Sequence, residues 1–191
     1  MKPRILLLAS GDGSLVQAIV EAVQSSKIDG EIVGLICDKP GARVIERAKL
    51  AGIRVYLIPI STDRKQWEKE ILEATTALNP DLVVSAGFMR ILASEFVERF
   101  KTINSHPSLL PLFPGAHAVK EALLAKVTTT GTTIHWVDSG VDTGKVISQV
   151  EIKIAPDDDI ATLHERIKIV ERSLIVETII KLLPTLEKRH V

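Results

Sequence analysis

Ile5-Leu6-Leu7-Leu8-Ala9-Ser10-Gly11-Asp12-Gly13-Ser14 is the stretch on which the fold turns. A short, continuously apolar run followed by glycine describes a strand buried on both faces, as in a parallel sheet covered by helices. Residues 10–14 lead into an amphipathic helix that runs to about Gln24. Ser14 and Gln17 have capping-box spacing, which predicts the helix start at Ser14. Strand, glycine loop and helix start together turn backbone N–H groups and the helix dipole toward an anion. The loop lacks the Gly-Lys-Ser/Thr of a P-loop, which argues against a nucleoside triphosphate. A dinucleotide site stays open at this point. Gly11 and Gly13 supply two of its glycines, and Asp38 ends the next apolar run, 32–37, where a ribose-binding acid would sit. Against it, Val16 occupies the third glycine position.

The same punctuation repeats down the chain. A helix is expected over 42–51 with Gly52 closing it, then a strand over 54–58. A helix begins near Asp63, again with capping-box spacing to Gln66, and buries Trp67, Ile71, Ala74 and Leu78 before Asn79-Pro80 stops it. Residues 81–86 form a fourth strand, and 93–100 a further helix. Strands alternating with helices through short loops predict an α/β fold with a doubly wound, mostly parallel sheet, Rossmann-like in its N-terminal half, with helices on both faces. Ligands bind such sheets at the carboxyl ends of the strands, so Gly11, Asp38 and Gly87 should gather at one edge. Residues 128–137 are rich in β-branched residues and read as a strand, with Thr133, His135 and Val137 on one face. A last strand covers 145–154. Asp157-Asp158-Asp159 then opens a long C-terminal helix whose apolar stripe is Ile160, Leu163, Ile167, Val170 and Leu174. His164, Lys168 and Glu171 fall on an adjoining stripe that reads as a solvated face. Pro184 ends the helix, and a frayed charged tail over 187–190 is expected.

The totals exclude several classes. At 191 residues the chain is expected to be a single domain, 1–191. Lys+Arg and Asp+Glu both number 24, so the net charge is zero, which argues against bulk electrostatic binding of nucleic acid. Cys37 is the only cysteine, so no internal disulfide can form. No apolar run approaches the roughly 20 residues of a membrane span, and no signal-peptide pattern precedes the first strand. A cytoplasmic protein without membrane or nucleic-acid partners is the expectation, as monomer or homodimer.

Chemistry concentrates in Asn104-Ser105-His106-Pro107-Ser108-Leu109-Leu110-Pro111, continued by Leu112-Phe113-Pro114-Gly115. The three prolines predict a stiff loop over 104–115 that is neither helix nor inner strand. Asn104 and His106 are two apart, so in an extended segment they project to the same side. Histidine can shuttle protons near neutral pH, and a carboxamide can donate to an oxyanion. Asp138-Ser139-Gly140-Val141-Asp142-Thr143-Gly144 could be taken for a calcium loop, but Gln149 stands where that motif needs its closing glutamate. No His-Glu-x-x-His spacing suggests a metal.

Asn104-x-His106-Pro107-Ser108-Leu109-Leu110-Pro111 resembles the signature of the folate-dependent formyltransferases, most nearly the phosphoribosylglycinamide formyltransferases of de novo purine synthesis. Further motifs extend the resemblance in order from Ile5 to about Leu183. It implies a formyl transfer from 10-formyltetrahydrofolate to the amine of glycinamide ribonucleotide, without a metal. It implies Asn104, His106 and Asp142 as the catalytic set. The phosphate loop would be Gly11, Asp12, Gly13, Ser14 and Leu15, with Leu15 where the family commonly has Asn. Glu171 would contact the ribonucleotide. Met89, Arg90, Ile91 and Leu92 would form the folate segment, with Arg64 reaching the glutamate tail. His117 and His135 would support the site. On this reading, residues about 1–100 form a nucleotide-phosphate half and about 101–191 a catalytic and folate-binding half.

Periodicity leaves Ile91 and Leu92 equally suited to the core, Arg64 and His117 to solvent, and His135 to a structural role. A formyltetrahydrofolate hydrolase shares the Asn/His/Asp set. It resembles a longer protein with an added N-terminal domain, whereas here the first strand begins within five residues of Met1. A methionyl-tRNA formyltransferase would carry a further C-terminal domain and a basic surface. A non-catalytic nucleotide-binding module would use the glycine loop alone.

Overall fold

The computed structural model describes residues 1–186; the tail expected to fray, 187–190, lies outside the described residues. Seven strands form one sheet: β1 (Arg4–Ala9), β2 (Glu31–Cys37), β3 (Val55–Leu57), β4 (Leu82–Ser85), β5 (Thr102–His106), β6 (Thr129–Trp136) and β7 (Val146–Lys153). Their order is β3-β2-β1-β4-β5-β6-β7. The first five run parallel, and β6 and β7 add an antiparallel edge. The helices are α1 (Ser14–Gln24), α2 (Arg43–Leu50), α3 (Arg64–Leu78), α4 (Ser94–Arg99), α5 (Ala118–Leu124) and α6 (Ile160–Leu182). Observed boundaries fall close to those the punctuation predicts.

The continuous apolar strands are explained by what covers them. Ile5 and Leu7 of β1 pack with Val16 and Ile19 of α1, Val44 of α2 and Ile175 and Ile179 of α6. Leu6 and Leu8, pointing the other way, pack with Trp67 and Ile71 of α3 and with Phe96 of α4. Both faces of β1 are thus dry, and Ile5 through Leu8 are all 0% exposed. At roughly 1.5–3 kcal/mol for each large apolar side chain buried, this strand is a main anchor of the sheet.

Strand order reverses between β1 and β4, which opens a crevice at their carboxyl ends. Two hydrogen bonds bridge it: Ser10 N–H to Gly87 O (3.1 Å) and Met89 N–H to Ser10 Oγ (2.8 Å). They hold the glycine loop beside residues 87–92.

Four local expectations need correction. Helix α1 starts at Ser14 as expected, but not through a capping box with Gln17; the cap is Gly13, at φ +80°, with no side-chain hydrogen bond. The Asp63 cap on α3 forms as expected, its side chain accepting from Gln66 N–H at 3.0 Å. Asn104 and His106 do not lie in a loop. They stand on β5, an inner strand between β4 and β6. The prolines begin only at Pro107, so residues 102–106 keep the N–H donors a ladder needs. Ile160 does not join the buried stripe of α6; it is 49% exposed, and Glu171 is buried instead.

Candidate active site

Sheet pairing assembles the core of the site. β5 and β6 run antiparallel with Asn104 opposite His135 and His106 opposite Thr133. Side chains alternate across a strand, so Asn104, His106 and His135 share one face. The loop between β6 and β7 then brings Asp142 over them, at φ +54°.

One carboxylate gathers four polar groups. Asp142 Oδ2 lies 3.2 Å from His106 Nδ1 and accepts from Gly115 N–H at 2.8 Å. Its Oδ1 lies 3.4 Å from His135 Nε2 and 3.4 Å from Asn104 Nδ2. Burial opposes ionisation of Asp142. The His135 hydrogen bond, the Gly115 N–H and the charges of His106 and His135 outweigh it, holding the carboxyl below its usual range. The far nitrogens of both imidazoles are anchored to backbone carbonyls. His106 Nε2 faces Phe113 O at 2.8 Å, and His135 Nδ1 faces Trp136 O at 2.8 Å. A carbonyl only accepts, so each of these nitrogens carries its hydrogen. The loop that supplies Phe113 O is tied to β6: Thr133 Oγ1 donates to Ser108 O at 2.6 Å and accepts from Leu110 N–H at 3.1 Å.

Asn104, His106, His135 and Asp142 line a cleft of about 540 Å³. Residues 87–92 form one wall, with Met89 and Ile91 exposed in it and Leu92 buried behind. Periodicity left Ile91 and Leu92 undecided, and the structure divides them. Trp67 stacks against Phe88 (centroids 6.4 Å apart) and stiffens this wall from the rear. Arg64 is partly exposed and lies outside the cleft lining. It pairs with Glu68 at 2.6 Å, lies over Trp67 and donates to Ile91 O. His117 caps α5 and lines the cleft, as do Ile160 and His164 of α6.

Arg90 also lines the cleft, but its Nε is bound to Asp38 Oδ2 at 2.6 Å. The Asp38 side chain is 0% exposed. Burial of this carboxylate beneath Arg90, together with Val16 in the third glycine position, argues against the dinucleotide alternative.

The glycine loop sits at the edge of this region. Because Gly13 caps α1 with no side-chain bond, the first-turn amides of Ser14, Leu15 and Val16 have no intrahelical partner. Leu15 is buried, so its side chain serves the core. Asp12, an acid in the glycine loop, is matched by two cations of α2: Arg43 and Arg47 each approach its carboxylate at 3.3 Å. Glu171 reaches the opposite face of β5, where it accepts from Ser105 Oγ at 2.6 Å. Burial pushes the Glu171 carboxyl up, against Ser105, Lys168 and Arg172.

Sequence reasoning missed the roles of Ser10, Arg47 and Ser85. Ser85 offered a signal, since it is the polar end of the otherwise apolar run Leu82-Val83-Val84. The other two are set by contacts distant in sequence. Among the described residues no group of three or more His, Cys, Asp or Glu is arranged to hold a metal ion.

A doubly wound α/β sheet with an amide, two imidazoles and a carboxylate converging at its carboxyl edge, between an apolar wall and a glycine loop at a helix N-terminus, is the arrangement of a group-transfer enzyme acting on small molecules. The chain belongs to the formyl transferase family, whose profile, described as "Formyl transferase", matches residues 3–179. It is 43% identical over 180 residues to a phosphoribosylglycinamide formyltransferase of Mycobacterium tuberculosis, covering 92% of this chain and 83% of that one. To the Bacillus subtilis protein of the same name it is 38% identical over 184 residues, covering 94% of each. The crystal structure of the phosphoribosylglycinamide formyltransferase from Bacillus halodurans superposes with a TM-score of 0.91 at 38% identity, covering 96% of this chain and 97% of that one.

Proposed function

We propose that this chain transfers the formyl group of 10-formyltetrahydrofolate to the amine of glycinamide ribonucleotide. The observation that carries the reading is the convergence of Asn104, His106 and His135 on the Asp142 carboxylate at the floor of the cleft. The ribonucleotide phosphate takes the amides of Gly11, Asp12, Gly13, Ser14 and Leu15, and Glu171 contacts the remainder of that substrate. The folate lies against Met89, Arg90, Ile91 and Leu92. Arg64 acts on the folate through its hold on Ile91, with its outer edge toward the glutamate tail. His117 and His135 support the set.

In the reaction the substrate amine attacks the formyl carbon, forming a C–N bond and a tetrahedral oxyanion. Asn104 Nδ2 donates to that oxygen, and His106, when protonated, adds positive charge beside it. One such donor contributes roughly 10²–10³ in rate. Asp142 accepts the proton shed by the amine, directly or through a water. That proton goes on to the folate nitrogen as the old C–N bond breaks. No covalent intermediate and no metal is required. The chain acts as a single domain, with a nucleotide-phosphate half over about 1–100 and a catalytic and folate-binding half over about 101–191. It works in the cytoplasm as a monomer or homodimer, and no helix among the described residues is long and apolar enough to cross a membrane.

Absorbance-monitored conversion of 10-formyltetrahydrofolate, with and without glycinamide ribonucleotide, tests the reading. Conversion only with the ribonucleotide, abolished in His106→Ala, is expected. Conversion without it would identify a hydrolase, and no conversion would leave a binding module.

A further inference from the structure

A carboxamide can sit in a site either way round, and only one orientation presents N–H to a developing oxyanion. The surroundings of Asn104 decide its orientation. One edge of the amide lies 3.4 Å from Asp142 Oδ1 and 3.3 Å from His135 Nε2. A carboxylate only accepts, so the edge facing it is the NH₂. The oxygen must then face the other way, toward β4. Parallel pairing of β4 and β5 places Ser85 beside Asn104 in register. Ser85 Oγ donates to Asn104 Oδ1 at 2.8 Å.

Ser85 has no packing reason to be polar. It ends Leu82-Val83-Val84, three residues that are 0% exposed, and is itself only 5% exposed. A buried hydroxyl is retained at little cost only where it is hydrogen-bonded. Its partner here is the carboxamide oxygen whose placement turns the NH₂ toward the cleft. Rotating the amide would set Oδ1 against the Asp142 carboxylate, so Asp142 selects the orientation, and the Ser85 hydroxyl, donating to Oδ1, holds the amide in it.

We propose that Ser85 is a positioning residue of the formyl transfer, its hydroxyl holding the Asn104 carboxamide so that an N–H points at the reacting carbonyl oxygen. The inference rests on the proposed function and goes beyond it by adding a residue that acts only through Asn104. The contribution belongs to the transition state, where the oxyanion exists, so it falls on kcat and leaves KM for both substrates in place.

The test compares wild type, Ser85→Ala, Ser85→Thr, Asn104→Ala and the Ser85→Ala/Asn104→Ala double variant in the formyl-transfer assay, each with its melting curve. One neutral hydrogen bond corresponds to about a fivefold to tenfold change. Ser85→Ala is expected to lower kcat by about that factor with both KM values within about twofold of wild type. Ser85→Thr, which restores the hydroxyl, should recover most of the loss. The double variant should be no slower than Asn104→Ala, because Ser85 has nothing left to orient. An unchanged kcat in Ser85→Ala would overturn the proposal, as would a loss confined to KM. A further loss on the Asn104→Ala background would overturn it too, by showing that Ser85 acts on its own. Absence of turnover in wild type would remove the proposed function itself, and the role of Ser85 with it.

Discussion

Asp142→Asn is the sharpest probe of the site, because the structure says what an amide cannot do there. The carboxylate presents acceptors on both edges: toward His106 and Gly115 on one, toward His135 and Asn104 on the other. An amide has one accepting edge. Turned one way, its NH₂ confronts the Gly115 N–H; turned the other, it confronts the Asn104 NH₂. The backbone is no obstacle, since asparagine tolerates the left-handed conformation that residue 142 adopts at φ +54°. The charge is the larger loss. At the 3.2 Å separation from His106, an effective dielectric of about 20 makes the attraction to a charged imidazole roughly 5 kcal/mol. The amide keeps one accepting edge, so a net barrier increase of about 3–4 kcal/mol follows, or roughly 10²–10³ in kcat. Formyl transfer at saturating 10-formyltetrahydrofolate and ribonucleotide measures it, with a melting curve confirming the fold. A kcat within about fivefold of wild type in a folded variant would refute the view that the Asp142 charge organises the site.

Glu171→Gln separates binding from stability. The folded carboxyl is raised by burial, so its contribution is complete below the ordinary carboxyl value and is lost as pH rises through the folded one. A glutamine oxygen still accepts from Ser105, so the variant should gain in melting temperature over wild type as pH rises from about 4 to 8. Its KM for the ribonucleotide should rise. Asp142 runs the opposite way: its folded carboxyl is lowered, so its stabilisation is present above the ordinary carboxyl value and is lost as pH falls through the folded one. Acid melts should therefore show a smaller loss for Asp142→Asn than for wild type. Gly13→Ala would place a Cβ 2.5 Å from Val44 Cγ2 at φ +80°. A loss of about 2–4 kcal/mol in denaturant melts is expected from strain and overpacking together, with weaker binding of inorganic phosphate. Thr133→Val leaves Leu110 N–H and Ser108 O without their partner. It should cost about 1–3 kcal/mol and lower kcat by releasing the loop that anchors His106.

The sequence by itself determined the layered sheet. A strand dry on both faces must be continuously apolar, and a loop between strand and helix must carry glycine or a cap. Ile5 to Ala9, the Gly11-Asp12-Gly13 loop and Asp63 with Gln66 are therefore legible without coordinates. So is the pairing of Asn104 with His106, because a spacing of two has a fixed meaning in an extended chain. Gly13 rather than Ser14 as the cap of α1 was not legible, since capping depends on the φ a residue takes and not on spacing alone. Nor was the strand position of Asn104 and His106. Prolines mark where a ladder must stop, but only the neighbours β4 and β6 show that it runs up to His106. Glu171 pattern-matches a solvated helix face, yet it is buried because β5 turns Ser105 toward it. Tertiary structure alone decided the chemistry. Asp142 lies 38 residues from Asn104, Asp38 lies 52 from Arg90, and Ser85 lies 19 from the amide it orients. Local pattern carries the period of a helix or strand. It carries no record of which distant side chains a parallel sheet, through its crossovers, brings to one edge.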